Sequence, residues 1–198
     1  MAKNKVKYNL KNAHYAMLTV DEEGTVSYAS PVALPGAVSI SLDANGEPEN
    51  FYADGVAYYV INNNMGYDGD LELAMIPEDF RVSALNETLD DKKVLIENAN
   101  TELNPFALLF EFDGDVKHIR HVLYNCSASR PGIEGKTNEE NREVQTETLS
   151  IKATPLASGV VKAKTGDSTD AAVYADWYKA VYIPSIAETG SGTDQAGV

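Results

Sequence analysis

The chain has 198 residues, of which 43% are hydrophobic, and its 30 acidic and 16 basic residues give a formal net charge of −14. This length fits one domain or at most two small ones, and the hydrophobic fraction excludes a chain that is disordered throughout. The negative charge disfavours a protein that grips nucleic acid, since Lys and Arg supply most of that affinity by neutralising phosphates. It suits either simple solubility or a surface along which DNA slides without sticking.

The ends of the chain and its cysteine content set further bounds. No apolar segment follows the first lysines, so we expect no secretory signal, no membrane insertion and synthesis in the cytoplasm. Cys126 is the only cysteine, which excludes an intrachain disulfide and a cysteine-based metal site. The residues after Pro184 are small and polar. We therefore predict one domain over residues 1–184 and a flexible polar tail over residues 185–198.

Alternation of apolar and polar residues with period two dominates the first third of the chain. Residues 14–20 and 25–29 flank a compact turn that contains glycine, which predicts a hairpin. Residues 37–42 predict another strand, and the aromatic run 50–61 predicts one long strand. These segments indicate a fold rich in β-structure.

The segment over residues 67–76 has the most informative pattern. Side chains alternate between the two faces of a strand, so its acids lie opposite Leu71 and Leu73; these acids are Asp68, Asp70 and Glu72. Pro77 then favours a helix over residues 77–86, because proline sets the φ of a first helical turn. We expect three residues of this helix to share its buried side, namely Phe80, Ala84 and Leu85.

The second half of the chain continues the β pattern. Residues 105–113 and 116–126 predict a hairpin with one apolar face, formed by Phe106, Leu108, Phe110 and Phe112. Residues 142–153 alternate again, and residues 160–163 indicate a short strand. Residues 171–181 predict a helix, capped by Thr169 or Asp170, whose apolar side contains Val173, Trp177 and Val181. The fold class is therefore mainly β, a two-sheet antiparallel β-sandwich or barrel with one or two short flanking α-helices.

Candidate catalytic and metal-binding groups are few. His118 and His121 are three residues apart on a predicted strand, which places them on opposite faces and disfavours a shared metal ion. Cys126 has no helix N-terminus beside it to lower its pKa, so we expect an ordinary buried thiol. Carboxylate pairs such as Glu111 with Asp113 would need a defined separation for glycoside hydrolysis, which sequence does not supply. We predict no catalytic residue, no metal site and no cofactor.

Three segments of the chain carry a family resemblance through their order. They are Pro-Val-Ala-Leu-Pro-Gly-Ala-Val-Ser-Ile-Ser-Leu at residues 31–42 followed by Phe-Tyr-Ala-Asp at 51–54, then residues 66–80, and last Asn-Cys-Ser-Ala-Ser-Arg-Pro-Gly-Ile-Glu-Gly at 125–135. Together they resemble the major tail protein, or tail-tube protein, of long-tailed phages and prophages of Gram-positive bacteria. The resemblance extends over residues 5–183. It implies a two-sheet β-sandwich of the tail-tube type that assembles into stacked hexameric rings, forming a tube through which DNA passes into the host.

The resemblance also implies a location and partners. The protein would be made in the host bacterial cytoplasm and would reside in the virion tail, without enzymatic activity. Its partners would be further copies of itself and the tape-measure, tail-tip and tail-terminator proteins, with transient, non-specific passage of DNA.

The residues leave two other functions open. A carbohydrate-binding or adhesive β-sandwich of a virion or cell surface would present a cleft of exposed aromatic side chains. A hydrolase with paired carboxylates would need a deep pocket and shifted pKa values.

Two sets of residues are candidate sites for the implied assembly. Asp68, Asp70 and Glu72 fit part of the wall that faces DNA, because repulsion of phosphate keeps DNA mobile. The pattern fits equally well an outer, solvent-facing strand or a strand between subunits. Residues 127–147 are polar and interrupted by proline and glycine, so we expect this loop to become ordered against a neighbouring subunit. Its candidate contact residues are Arg130, Ile133, Lys136 and Arg142.

Overall fold

The structure is a computed structural model that describes residues 3–137 and 143–185. Within these ranges the chain forms thirteen strands and two short helices. The strands are β1 (Lys7–Val20), β2 (Val26–Tyr28), β3 (Val32–Ala33), β4 (Ala37–Asn45), β5 (Glu49–Ala53), β6 (Val56–Ile61), β7 (Gly66–Leu73), β8 (Thr88–Leu89), β9 (Leu95–Ile96), β10 (Phe106–Gly114), β11 (Ile119–Ala128), β12 (Glu147–Thr154) and β13 (Lys162–Lys164). The helices are α1 (Glu78–Ser83) and α2 (Ala171–Asp176). No helix in the two described ranges is both long and apolar enough to cross a membrane.

Nine of these strands belong to one antiparallel sheet in the order β2-β1-β10-β11-β12-β7-β4, with β3 beside β1 and β13 beside β11. One edge of β11 changes partner, since residues 121–123 pair with β13 and residues 125–128 pair with β12. The half formed by β12, β7 and β4 packs over the half formed by β1, β10 and β11. The mainly β, antiparallel prediction with two short helices is confirmed. The described strands form no closed barrel, because β4 lies near β1 without pairing with it.

The hydrophobic core lies between the two halves of the sheet. The predicted apolar face of β10 points inward, and Phe106 and Leu108 are completely buried. Leu71 and Leu73 of β7 meet them from the opposite half, as the alternation predicts. Burial of one such side chain stabilises the fold by about 1.5–3 kcal/mol.

Helix α1 closes one end of this core. Phe80 is fully buried, and its ring lies edge-on to the rings of Tyr15 and Phe106, with centroid distances of 5.0 Å and 5.3 Å. Ala84 and Leu85 are buried beside it, so the predicted buried side of the helix is confirmed. The helix itself ends at Ser83, three residues before its predicted end.

Helix α2 covers the outer face of β10 and β11. The Asp170 carboxylate accepts hydrogen bonds from the backbone N–H groups of Ala172 and Val173, at 2.8 Å and 3.2 Å, so Asp170 is the N-cap. The helix ends at Asp176, earlier than predicted, and the chain continues as turns. Trp177 and Val181 are nevertheless buried against the sheet, as predicted.

A buried carboxylate lies between α2 and the sheet. Glu111 is 1% exposed and accepts hydrogen bonds from Arg120 Nε at 3.0 Å, Asn12 Nδ2 at 2.6 Å and the Tyr178 hydroxyl at 3.2 Å. The Arg120 guanidinium also stacks over the Tyr174 ring, 3.9 Å from its centroid. The charge of Glu111 is thus both paired and fully hydrogen-bonded, which a buried ion requires.

Three predicted strands differ markedly from the structure. β1 begins at Lys7, seven residues before its predicted start at His14. The aromatic run over residues 50–61 is not one strand, because it reverses direction between β5 and β6. β12 begins at Glu147, five residues after the predicted start at Arg142, which lies outside the described residues. The predicted hairpins β1–β2 and β10–β11 are confirmed.

We expect Glu111→Ala to lower the free energy of unfolding by about 3 kcal/mol, because it leaves the Arg120 guanidinium without its buried partner. Urea denaturation followed by circular dichroism measures this change. Glu22→Ala, at an exposed turn, is the matched control and should change stability by less than about 0.5 kcal/mol. Equal stability of the two variants would contradict a structural role for the buried pair.

Candidate functional site

The β5–β6 hairpin forms a separate two-stranded sheet, and in sequence it connects β4 to β7. Its two-residue turn is Asp54–Gly55, with φ values of 52° and 78°, as a type I′ turn requires. Asn45 of β4 pairs directly with Gly66 of β7, and the Met65 N–H donates to the Asn45 carbonyl at 2.9 Å. The hairpin is therefore an insertion whose base is closed by the main sheet.

This hairpin exposes an unusual amount of apolar surface. Seven large apolar side chains are between 43% and 72% exposed: Phe51, Tyr52, Val56, Tyr58, Tyr59, Val60 and Ile61. A two-stranded hairpin is at best marginally stable alone in water, and contiguous exposed apolar surface marks an interaction site. The hairpin is therefore the strongest candidate binding surface among the described residues. Sequence reasoning missed it, although Asp54–Gly55 between two apolar runs was the available signal.

The three predicted acidic residues share the outward face of β7. Each accepts a hydrogen bond from a neutral side chain on a neighbouring segment. Asn45 Nδ2 donates to Asp68 at 2.6 Å, Ser150 Oγ to Asp70 at 2.8 Å, and Ser39 Oγ and Thr146 Oγ1 to Glu72 at 2.8 Å and 2.6 Å. We call this surface the acidic face.

One cation lies on the acidic face, since Lys152 of β12 is the cross-strand partner of Asp68. Within the described residues, none of the three carboxylates forms an ion pair with Lys, Arg or His. The hydrogen bond from Thr146, followed by that from Ser39, lowers the pKa of Glu72 below its usual value. The hydroxyl groups therefore hold this carboxylate in its charged form, which suits electrostatic repulsion better than proton donation.

The predicted loop residues do not converge in the single chain. Arg130 pairs with Glu97 of its own chain at 3.0 Å, whereas the Ile133 side chain is fully exposed. Backbone groups of Lys136 exchange two hydrogen bonds with the Gln145 side chain, at 2.9 Å and 3.0 Å. Arg142 lies outside the described residues.

The remaining candidate groups lack the geometry of a catalytic or metal site. His118 Nδ1 lies 2.6 Å from Asp113 Oδ1, while the His121 ring stacks on Phe110 with centroids 5.1 Å apart. Burial raises the pKa of the Cys126 thiol to about 12, so this thiol is a poor nucleophile at neutral pH. In residues 3–137 and 143–185, no three His, Cys, Asp or Glu side chains converge to hold a metal ion.

Comparisons with known proteins give matches to solved structures. No family model and no curated protein matches the chain. Among solved structures, a chain in a cryo-EM structure of the anti-feeding prophage baseplate, 6-fold symmetrised, is similar with a TM-score of 0.47. The two sequences are 10% identical, and the match covers 85% of this chain and 99% of the other. No functional conclusion follows from a similarity at this level.

We expect Thr146→Val to raise the pKa of Glu72, because it removes the hydrogen bond that contributes most to the lowered value. A carbon-detected NMR titration of the Glu72 carboxyl between pH 2 and 7 measures this pKa. Thr148→Val is the matched control, since Thr148 lies opposite Glu72 in the ladder. An unchanged Glu72 pKa in Thr146→Val would show that the hydroxyl does not stabilise the charge.

Proposed function

We propose that this protein is a structural subunit of a phage tail tube, which assembles into stacked hexameric rings and forms the conduit for DNA ejection. The resemblance of residues 31–42, 51–54, 66–80 and 125–135 to tail-tube proteins supports the family. The acidic, β-rich character of the chain is compatible with it. In this function the protein belongs to the virion tail, and it contacts the tape-measure, tail-tip and tail-terminator proteins as well as copies of itself.

The exposed β5–β6 hairpin is the observation that carries the proposal of self-assembly. Exposure of seven large apolar side chains to water is unfavourable in a monomer, and such a surface promotes association. Strand β4 adds an open edge, since it pairs only with β7 among the described strands. Open strand edges in native proteins are usually covered or paired with another chain. A ring of subunits would cover both features.

The acidic face supports the proposal of a DNA conduit. Asp68, Asp70 and Glu72 share a sheet face with their directly paired neighbours, which are Asp43, Ser41 and Ser39 of β4 and Lys152, Ser150 and Thr148 of β12. The four carboxylates of this face outnumber its one lysine, so such a wall repels phosphate on balance and lets DNA pass without tight binding. We therefore propose that these three residues face the lumen of the tube.

The loop between β11 and β12 is proposed as a second contact between subunits. Ile133 is the apolar anchor in this proposal because its side chain has no cover within its own subunit. Lys136 supplies positive charge in the same loop, and Arg130 would exchange Glu97 for an acid of the neighbour. Arg142, which lies outside the described residues, is a further candidate from the sequence alone. The acidic surface of a second copy is a suitable partner for these cations.

One observation favours a second function. The aromatic side chains of the hairpin, above all Tyr58 and Tyr59, are the residue types that stack on sugar rings. A carbohydrate-binding or adhesive module would remain monomeric and bind glycans through this hairpin. A glycan array probed with the monomer distinguishes the two functions, because a tube subunit should bind no glycan.

We expect the triple variant Phe51→Ser, Tyr58→Ser and Tyr59→Ser to abolish ring and tube formation while the subunit stays folded. The physical reason is the loss of the apolar area that drives association. Negative-stain electron microscopy and sedimentation velocity at high protein concentration measure assembly, and circular dichroism reports the fold.

The matched control for this variant replaces three exposed apolar residues elsewhere, Val94, Ile96 and Val116, with serine. It should assemble like the unaltered protein. Tubes of normal length from the hairpin variant would exclude the hairpin as the assembly surface. Failure of the unaltered protein to form rings or tubes at any concentration, salt or nucleation condition would exclude the tail-tube function itself.

Deletion of residues 132–141 tests the loop contact separately. We expect this deletion to prevent tube formation with the circular dichroism spectrum unchanged, because it removes the Ile133 anchor. Normal tubes from the folded deletion variant would show that the loop is a surface loop without a role in assembly.

A further inference from the structure

The main sheet leaves a cleft where its two halves approach without pairing. The cleft has a volume of about 330 Å³ and lies between β1, β4, β7, β10, β11 and β13. Its apolar lining includes Leu42, Tyr67 and Phe112. Along one side runs the edge of β4, which no described strand covers, so its backbone groups are available to an added strand.

Lysines surround this cleft. Lys7 Nζ lies 4.6 Å from the centroid of the Phe112 ring, and Lys162 Nζ lies 4.1 Å from that of Tyr67. Lys164 pairs with His121 across the β11–β13 ladder, next to the cleft. None of these three lysines forms an ion pair with a carboxylate in the described part of the chain. An uncompensated cationic cluster is unexpected in a protein of net charge −14.

The positive potential of this cluster also acts on the partly buried histidine of the cleft, His121. Burial and then the charges of Lys164, Lys7 and Lys162 lower the pKa of His121 to about 4, so its imidazole is neutral at neutral pH. His121 stacks on Phe110 and lies edge-on to Phe112. It therefore extends the aromatic lining and adds no charge to it. The cleft is aromatic within and cationic at its mouth.

The β5–β6 hairpin has the complementary character. Residues 46–65 contain three acids, Glu47, Glu49 and Asp54, and no Lys or Arg. Its aromatic and aliphatic side chains are exposed, and Asp54 stands at the turn between exposed Tyr52 and Val56. Among the described strands, each of its two strands pairs only with the other, so the hairpin also has open edges. The acids of the hairpin are thus opposite in charge to the lysines of the cleft, and both surfaces offer apolar side chains and an unpaired strand edge.

We propose that the hairpin of a second copy of this chain docks in the lysine cleft. This inference rests on the proposed function and identifies the partner surface that covers the hairpin. The acids of the hairpin lie against Lys7 and Lys162, while its apolar side chains cover Tyr67 and Phe112. The contact joins two different surfaces, so it is heterologous, and repetition by rotation closes a ring or, without closure, extends a filament.

Complementary charge reversal tests this contact. The cleft variant carries Lys7→Glu and Lys162→Glu, and the hairpin variant carries Glu47→Lys, Glu49→Lys and Asp54→Asn. Asn at position 54 keeps the positive φ of the turn accessible. Each variant alone places like charges together, so we expect the protein concentration needed for assembly to rise about tenfold or more.

Mixing the two variants is the decisive measurement. In a mixture, each unaltered hairpin meets an unaltered cleft and each reversed hairpin meets a reversed cleft, so assembly should return to the level of the unaltered protein. Sedimentation velocity and negative-stain microscopy follow assembly, and circular dichroism with thermal unfolding confirms that each variant is folded. Lys92→Glu with Lys93→Glu, at an exposed turn, is the control with the same change of charge. It should assemble normally, and a tenfold defect there would assign the effect to net charge.

Every outcome decides the proposal. Recovery of assembly on mixing establishes the contact, while loss in each variant without recovery on mixing overturns it. Normal assembly of both single variants also overturns it. In those two cases the proposed function survives if the unaltered protein forms tubes. If a variant is unfolded, Lys7→Ala with Lys162→Ala replaces the cleft variant, and it must weaken assembly for the contact to stand.

Discussion

One edge of strand β11 serves two partners, and the arrangement of the molecule follows from this division. Up to Leu123 the edge pairs with β13, and from Asn125 onward it pairs with β12. Strand β11 thereby belongs to both halves of the sheet and allows one half to pack over the other. The core that results is closed at one end by Phe80, while the opposite seam stays open between β4 and β1. That open seam is the origin of the lysine cleft.

The charges of this protein are separated in space. Carboxylates that form no ion pair within the described residues occupy the outer face of β7, and lysines that likewise form none lie at the seam between the halves. Glu111 and Arg120, in contrast, form an ion pair with each other that is largely shielded from solvent. A pair that stabilises the fold is thus distinct from charges left free for contact with other molecules. The net charge of −14 does not reveal this separation of acidic and basic surfaces, and the separation is the property that bears on function.

Sequence patterns predicted the strands and helices that depend on residues close together in the sequence. Alternation along residues 105–113 identified the inward face of β10. The sequence also narrowed the cap of α2 to Thr169 or Asp170, because a capping side chain acts on the next two or three residues. The reversal at Asp54–Gly55 was missed since the tyrosines on both sides favour a strand equally well. The seam and its lysines could not be predicted, because Lys7, Tyr67 and Lys162 meet only through pairing between distant strands. The same limit applies to the acidic face, whose alternation was evident but whose hydroxyl donors on β4 and β12 were not.

The isolation of Cys126 has a practical consequence for measuring this molecule. Its sulfur is completely buried and its thiol stays protonated at neutral pH, so alkylating reagents have no ready target on the folded chain. A cysteine introduced on the acidic face or at the hairpin turn would then be the one thiol that carries a spin label or fluorophore. Distances between subunits can therefore be measured in the native sequence without first replacing Cys126, because Cys126 is not labelled.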